Sequence, residues 1–100
     1  MAYTVRFLPQ ATADLRALYD YIAPRGGESV ARDFVARLHA YCLGLDTFPE
    51  RGTLRDDIRP ALRILGYRRQ ATIAFTVHEG DVVILRVFGR GQDVVAELEP

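Results

Sequence analysis

The chain has 100 residues, of which 49% are hydrophobic and 26% charged, and its formal net charge is zero. It is too short to divide and too apolar to stay unfolded, so we expect one domain spanning residues 1–100. The zero net charge gives no overall attraction to nucleic acid or to a membrane surface. The single cysteine, Cys42, excludes an internal disulfide and a cysteine-rich zinc site. We therefore expect a cytoplasmic protein that has no metal, no cofactor and no membrane contact.

The basic residues are unusual in kind and in placement. All 13 are arginine, so lysine chemistry such as a Schiff base is excluded. Six of them lie between Arg51 and Arg69, against only Asp56 and Asp57. Residues 92–100 contain acidic side chains and no basic one. The neutral total therefore hides a basic middle and an acidic end.

The first half of the chain predicts one strand and two helices. Polar and apolar residues alternate over residues 3–8, the period of a half-buried strand. Apolar residues from Ala11 to Ile22 have helical spacing, and Pro24 with the following glycines is expected to stop that helix. A second apolar stripe runs from Ala31 to Leu45, until Phe48 and Pro49 close it. Two such helices joined by a short glycine loop form an antiparallel hairpin.

The second half predicts strands. Short apolar or alternating runs occupy residues 62–65, 71–77 and 82–88, and residues 78–81 form a tight hairpin connection. The last strand is apolar on both faces, so it should be central or covered on both sides. Residues 92–98 could add a helical turn. The fold class is therefore α+β: an N-terminal strand, a helical hairpin, then a three-strand antiparallel meander with the helices on one face. The other face of the sheet, or part of it, would remain available to partners.

The arginines of the central segment recur every four residues from Arg51 to Arg63. Gly52 and Pro60 interrupt the segment, so we expect a loop and the start of a strand rather than a helical stripe. Two interpretations stay open. These arginines either pair with neighbouring aspartates, or they form an anion-binding or partner-binding loop that continues into Arg68 and Arg69.

Arg86 is the lone charge in the last predicted strand, where a charge is costly unless it is paired or faces an open site. We expect it on the same face as Ile84 and Phe88. It either forms a buried pair with an aspartate or glutamate, or lies in an exposed site shared with Arg63 or Arg69, where phosphate or an acidic partner would bind.

Small and apolar residues also occupy the helix faces opposite the main stripes, where a monomer usually has charges. These residues are Ala13, Ala17, Tyr21, Ala36, Ala40 and Leu43. We expect them to form a groove that another chain covers. His39 and His78 have no nearby catalytic or metal-ligand pattern, so we interpret them as ordinary surface or boundary residues.

Several segments together carry a family resemblance. They are YTVRFLPQATADL in the first strand and helix, YDYIA before the glycine turn, FPERGT at 48–53, RDDIRPALRILGYRR at 55–69 and VVILRVFGRGQD at 82–93. Asp-Ile-Arg-Pro followed three residues later by arginine is the most specific of these. Over nearly its whole length, the chain resembles the ParE branch of the RelE/ParE toxins of bacterial type II toxin–antitoxin systems.

The resemblance implies a toxin that poisons DNA gyrase without being a nuclease. It also implies a ParD-type antitoxin, which lays a C-terminal helical segment along the helical hairpin in a hetero-oligomer. Nucleic acid would be contacted only through that complex. On this interpretation the antitoxin covers the apolar helix faces, and the target is bound by Arg63, Arg68, Arg69, Arg86, Phe88 and Arg90.

Two alternatives remain. A RelE-like, ribosome-dependent mRNA endonuclease would use Arg63 and Arg86, but guanidinium scarcely deprotonates, so acid–base catalysis is poorly supplied. A degenerate member would only bind its antitoxin and co-regulate the operon. The chain also departs from the His-Gly-Ala-Arg-Asp pattern of many ParE relatives. It has Gly-Arg-Gly-Gln-Asp at 89–93, which retains Asp93 and lacks the aligned histidine and arginine.

Overall fold

The computed structural model describes residues 2–98. Their secondary structure follows the expected order, with one additional short strand. The elements are β1 (Thr4–Phe7), α1 (Pro9–Gly26), α2 (Glu28–Leu43), a 3₁₀ turn (Gly44–Asp46), β2 (Thr53–Leu54), β3 (Arg63–Tyr67), β4 (Ala71–His78), β5 (Asp81–Gly89) and α3 (Val94–Leu98). The predicted α+β class is confirmed.

The strands form one five-stranded sheet in the order β1-β5-β4-β3-β2. β1 runs parallel to β5, and the other neighbours are antiparallel. β5 therefore lies inside the sheet, as its apolar sequence predicted. Glu79 and Gly80 form the tight connection between β4 and β5, and both have positive φ, at 45° and 85°. A two-residue turn of this type matches the twist of the strands that it joins.

The ends of the two long helices differ from the prediction. Pro9 is the first residue of α1, where its missing N–H has no partner to lose. Pro24 does not stop α1 but lies in its last turn, and the helix ends where Gly27 adopts a φ of 99°. The proline forgoes one hydrogen bond near the helix end, which is tolerated where the ladder is about to finish. α2 ends at Leu43, before the expected stop at Phe48 and Pro49.

The sheet is covered on both faces. The larger core lies between the helical hairpin and the sheet, and its fully buried residues include Leu38, Cys42, Ile73, Phe75 and Ile84. The second core lies on the opposite face and contains Leu62, Ala74, Phe88 and Leu98. The loop before β3 and helix α3 supply its cover. Only part of this second face therefore remains available to partners.

A β-bulge in β5 corrects the expected orientation of Arg86. The register pairs Phe75 with Ile84 but Ala74 with Arg86, so one residue of β5 is extra. An extra residue reverses the alternation of side chains beyond it. Ile84 consequently joins the larger core, whereas Arg86 and Phe88 face the second core. Arg86 shares a face with Phe88 but not with Ile84.

Among residues 2–98, none of the helices combines the length and the apolar character that crossing a bilayer requires.

Candidate functional site

The connection between β3 and β4, residues 68–70, contains two arginines in a strained conformation. Arg68 and Arg69 have φ values of 49° and 57°. The N–H of Gln70 donates to the carbonyl oxygen of Tyr67 over 2.9 Å, closing a two-residue turn. Turns with two positive φ values favour Asn-Gly, because a left-handed backbone costs other residues about 1–2 kcal/mol each. Despite this conformational cost, both positions are arginine, and the two side chains are exposed at this end of the sheet.

Arg90 lies at the same end of the sheet, because Ala71 at the start of β4 pairs with Gly89 at the end of β5. The turn between β3 and β4 and the segment at the end of β5 border an open depression of about 500 Å³, which we call the arginine groove. It is lined by Gly66, Arg68, Arg69, Gln70, Ala71, Thr72, Gly89, Arg90, Gly91 and Gln92. Among residues 2–98, the lining contains three arginines and no carboxylate, so the groove is suited to negatively charged groups.

The guanidinium groups of the arginine groove are not neutralised within the described part of the chain. The arginine ion pairs among residues 2–98 involve Arg6, Arg55, Arg63 and Arg86, and none involves Arg68, Arg69 or Arg90. Arg68 lies with its guanidinium carbon 5.6 Å from the ring centroid of Tyr67. These three arginines can therefore bind an external anion without first breaking an ion pair to another of residues 2–98.

Residues 89–92 form a closed loop that positions Arg90. The N–H of Gly89 donates to Gln92 Oε1 over 2.6 Å, and the N–H of Gln92 donates to the carbonyl of Gly89 over 3.3 Å. A Cβ atom at Gly89 would lie 2.8 Å from a terminal methyl of Leu18. Glycine at this position lets α1 approach β5 closely. The positions that depart from the usual ParE pattern thus have a definite structural role here.

Arg86 forms an ion pair with an aspartate, as one of the two interpretations of its position expected, and the pair is part-buried. Its Nε and Nη2 donate to the carboxylate of Asp14 on α1 over 2.8 and 3.1 Å. Glu97 on α3 lies 3.6 Å from Nη1, and the guanidinium carbon is 4.9 Å from the ring centroid of Phe88. The hydrogen bonds from Arg86 to Asp14 raise the pKa of the guanidinium further. With only 15% of its side chain exposed, Arg86 is not part of the arginine groove.

Asp14 also accepts a hydrogen bond from the edge of β5 that β1 leaves unpaired. β1 ends at Phe7, which pairs with Ile84, so the later residues of β5 have no strand on that side. The N–H of Val87 donates instead to Asp14 Oδ2 over 2.9 Å. One carboxylate thus accepts three hydrogen bonds from β5, which is why it can lie mostly buried.

The other arginines predicted to bind the target or a ligand are engaged locally. Arg63 pairs in register with Phe75, on the face opposite Arg86, and its Nη2 lies 3.7 Å from Glu50. Arg55 makes two hydrogen bonds to Asp57, of 2.9 and 2.8 Å. These bonds lower the pKa of Asp57. The structure brings Arg68, Arg69 and Arg90 together but separates them from Arg63 and Arg86. Phe88 is fully buried and contributes no exposed surface.

The six residues assigned to antitoxin binding are all exposed, but they do not line one groove. Ala17 and Tyr21 line a depression of about 670 Å³ between α1 and the end of β5, which we call the helix–sheet groove. Its floor includes Leu18, Ile22, Phe34 and Val87. Ala40 borders a third depression on the other side of the hairpin, whereas Ala13, Ala36 and Leu43 line none of the three.

Sequence reasoning missed two features near these surfaces. Asp14 gave a signal, because it lies beside the apolar stripe of α1 where a carboxylate is half-buried. Phe48 was assigned to a helix end but is 84% exposed with a φ of 49°, on a loop whose carbonyls accept hydrogen bonds from Arg51. Cys42 is a core residue as expected, and burial raises its pKa to about 12. Residues 2–98 contain no cluster of side chains able to hold a metal ion.

Comparison with known structures defines the class of fold. The chain superposes on the chromosomal ParDE toxin–antitoxin system of P. aeruginosa with a TM-score of 0.78 and 24% identity, covering 89% of this chain and 97% of that one. It also superposes on the RelBE2 toxin–antitoxin complex of Mycobacterium tuberculosis with a TM-score of 0.65 and 23% identity, covering 90% and 100%. These similarities establish a RelE/ParE-type toxin fold.

Sequence comparison then identifies the family. Residues 5–94 match the model of the ParE toxin of the type II toxin–antitoxin system parDE. Toxin ParE3 of Caulobacter vibrioides is 28% identical over 98 residues, covering 98% of this chain and 96% of the relative. The chain belongs to the ParE toxin family, so it is a ParE-type toxin of a type II toxin–antitoxin system. The resemblance inferred from the sequence motifs is confirmed.

Proposed function

We propose that this toxin inhibits DNA gyrase by binding the gyrase–DNA complex through the arginine groove, without catalysing a reaction, and that a ParD-like antitoxin neutralises it. The observation that carries the proposal is the composition of the groove. Arg68, Arg69 and Arg90 supply positive charge from two short, hydrogen-bonded chain reversals. Such a surface is built to bind an acidic partner, and it contains no group that exchanges protons near neutral pH.

The geometry disfavours the alternative of an mRNA endonuclease. Cleavage of RNA needs a base for the 2′-hydroxyl and an acid for the leaving oxygen, both close to one phosphate. Arg63 and Arg86, the two residues that this alternative requires, lie on opposite faces of the sheet. His78 is at the far end of β4, beside Asp81, and the ring of His39 stacks on Phe7 at 4.8 Å. Neither histidine lines the arginine groove.

The helix–sheet groove supports the proposal of an antitoxin partner. Its lining combines apolar side chains with a polar rim, a pattern typical of sites that receive one face of an amphipathic helix. The helix–sheet groove shares Gln70 and residues 89–92 with the arginine groove, so the two depressions adjoin. An antitoxin segment seated along α1 would therefore reach the target-binding arginines and block them directly.

The gyrase proposal is tested with the purified chain in two parallel assays, DNA supercoiling by gyrase and cleavage of message on translating ribosomes. We expect supercoiling to stop and message to stay intact. The variant R68N/R69G/R90Q should lose inhibition. A matched variant, R16Q/R32Q/R59Q, removes the same charge from exposed arginines outside the groove and should retain it. Normal supercoiling together with cut message would overturn the proposal.

The antitoxin proposal is tested by titrating the chain with the antitoxin encoded beside it. Ala17→Glu places a charge in the helix–sheet groove and should weaken binding by tenfold or more, which corresponds to about 1.4 kcal/mol. Ala96→Glu makes the same change at an exposed alanine of α3 and should leave affinity unaltered. Equal affinities for both variants would show that the antitoxin binds elsewhere.

A further inference from the structure

We propose that the arginine groove binds the phosphate backbone of duplex DNA directly. The inference deepens the proposed function and rests on it for its biological sense, because gyrase acts on DNA. It differs from the expectation that nucleic acid is reached only through the antitoxin complex. Three properties of the groove support this: its charge, its neighbouring charges and the absence of aromatic or large apolar side chains from its lining in residues 2–98.

The charge of the groove is concentrated although the chain as a whole is neutral. Three arginines line a depression of about 500 Å³ that no carboxylate enters. Asp93 follows directly, but its Oδ1 accepts a hydrogen bond from the N–H of Ala96 and so is turned towards α3. Arg37 continues the positive surface, because it lines the adjoining depression together with Arg68. Arg68 thus borders both depressions, and four arginines line the two.

The lining distinguishes phosphate from other anionic partners. Apart from the arginines it contains only glycine, alanine, threonine and glutamine. A stable protein–protein contact usually buries an aromatic or large apolar anchor, and no such side chain lines the groove. Single-stranded RNA is bound by stacking bases on aromatic rings, which the lining also lacks. Arginine forks without apolar anchors fit phosphate oxygens, the contacts that dominate duplex binding without sequence preference.

The experiment measures binding of a short fluorescent DNA duplex to the purified chain by anisotropy, with no gyrase present. Three phosphate contacts predict a slope of log affinity against log salt near −2.7, so affinity should fall about 40-fold between 50 and 200 mM salt. The variant R68N/R69G/R90Q should lose this binding at least about tenfold and should flatten the slope. The matched variant R16Q/R32Q/R59Q has the same net charge as R68N/R69G/R90Q but should bind DNA like the unmodified chain.

Four results would overturn the inference. Equal binding by the two triple variants would mean that diffuse charge, not the groove, holds DNA. Tighter binding of a single-stranded RNA would assign the site to another nucleic acid. Equal binding of a polyglutamate peptide with as many charges as the duplex would assign it to an acidic protein surface. Failure of DNA binding with gyrase inhibition intact would remove this inference alone, whereas DNA binding without gyrase inhibition would remove the proposed function alone.

Discussion

Replacing Arg68 and Arg69 by Asn and Gly should make the protein more stable and less toxic. Both arginines have a positive φ, which costs an L-residue with a long side chain about 1–2 kcal/mol. Asn-Gly is the pair that this turn favours. Glycine removes the strain at position 69 but loses about 0.4–1 kcal/mol through its greater freedom in the unfolded chain. Asparagine tolerates the left-handed region better than arginine does. The net gain should be about 1 kcal/mol.

Thermal and urea unfolding measure this gain. For a domain of this size, 1 kcal/mol raises Tm by about 4–8 °C. The same variant should lose most of the gyrase inhibition that we propose, because two of the three guanidinium groups of the arginine groove are gone. Opposite changes in stability and activity cannot be explained by unfolding of the variant. The reasoning fails if Tm stays the same or falls, since the turn would then not be strained, or if inhibition is unaffected, since the arginines would then not bind the target.

Three further variants or measurements test the interior. Asp14→Ala removes the partner of Arg86 and of the Val87 N–H, so unfolding free energy should fall by about 3 kcal/mol; a loss under 1 kcal/mol would mean that solvent replaces the carboxylate. Leu38→Ala leaves a cavity at a fully buried position and should cost about 2–5 kcal/mol by urea denaturation. Burial raises the Cys42 pKa from 9.0 to about 12, so the free energy of unfolding should decline as pH rises through that range. A thiol reagent at ~pH 8 should label only unfolded chains.

Periodicity predicted the long elements because each has one dominant partner. The stripes of α1 and α2 bury against one sheet, and β4 and β5 lie inside it, so local pattern and tertiary environment agree. β2 escaped prediction because two residues, Thr53 and Leu54, are too few to show a period. The orientation of Arg86 was wrong for a related reason. A bulge is decided by how two strands align, and the sequence of β5 alone does not contain that information.

The candidate site could be predicted only in part. The run of arginines pointed to Arg68 and Arg69, but spacing gave no reason to separate them from Arg63 or to join them to Arg90. That grouping depends on which turns meet at one end of the sheet, as fixed by the pairing of Ala71 with Gly89. Helical wheels likewise found the exposed residues of the hairpin. The wheels could not show that, of the six residues assigned to antitoxin binding, only Ala17 and Tyr21 border the helix–sheet groove. That depends on where β5 ends beneath α1.

The opening of the helix–sheet groove has its origin in one residue of the sequence. Pro9 starts α1, so β1 ends at Phe7 and covers β5 only as far as Ile84. A longer β1 would pair with the rest of β5 and fill the space beside Val87, which is part of the groove. The exposed edge would be a liability for a domain of this size, since an unpaired strand edge invites aggregation. Asp14 on α1 accepts the hydrogen bond of the Val87 N–H at that edge, which a neighbouring strand would otherwise accept. The edge is thus paired at this position while the surface proposed for the antitoxin stays open.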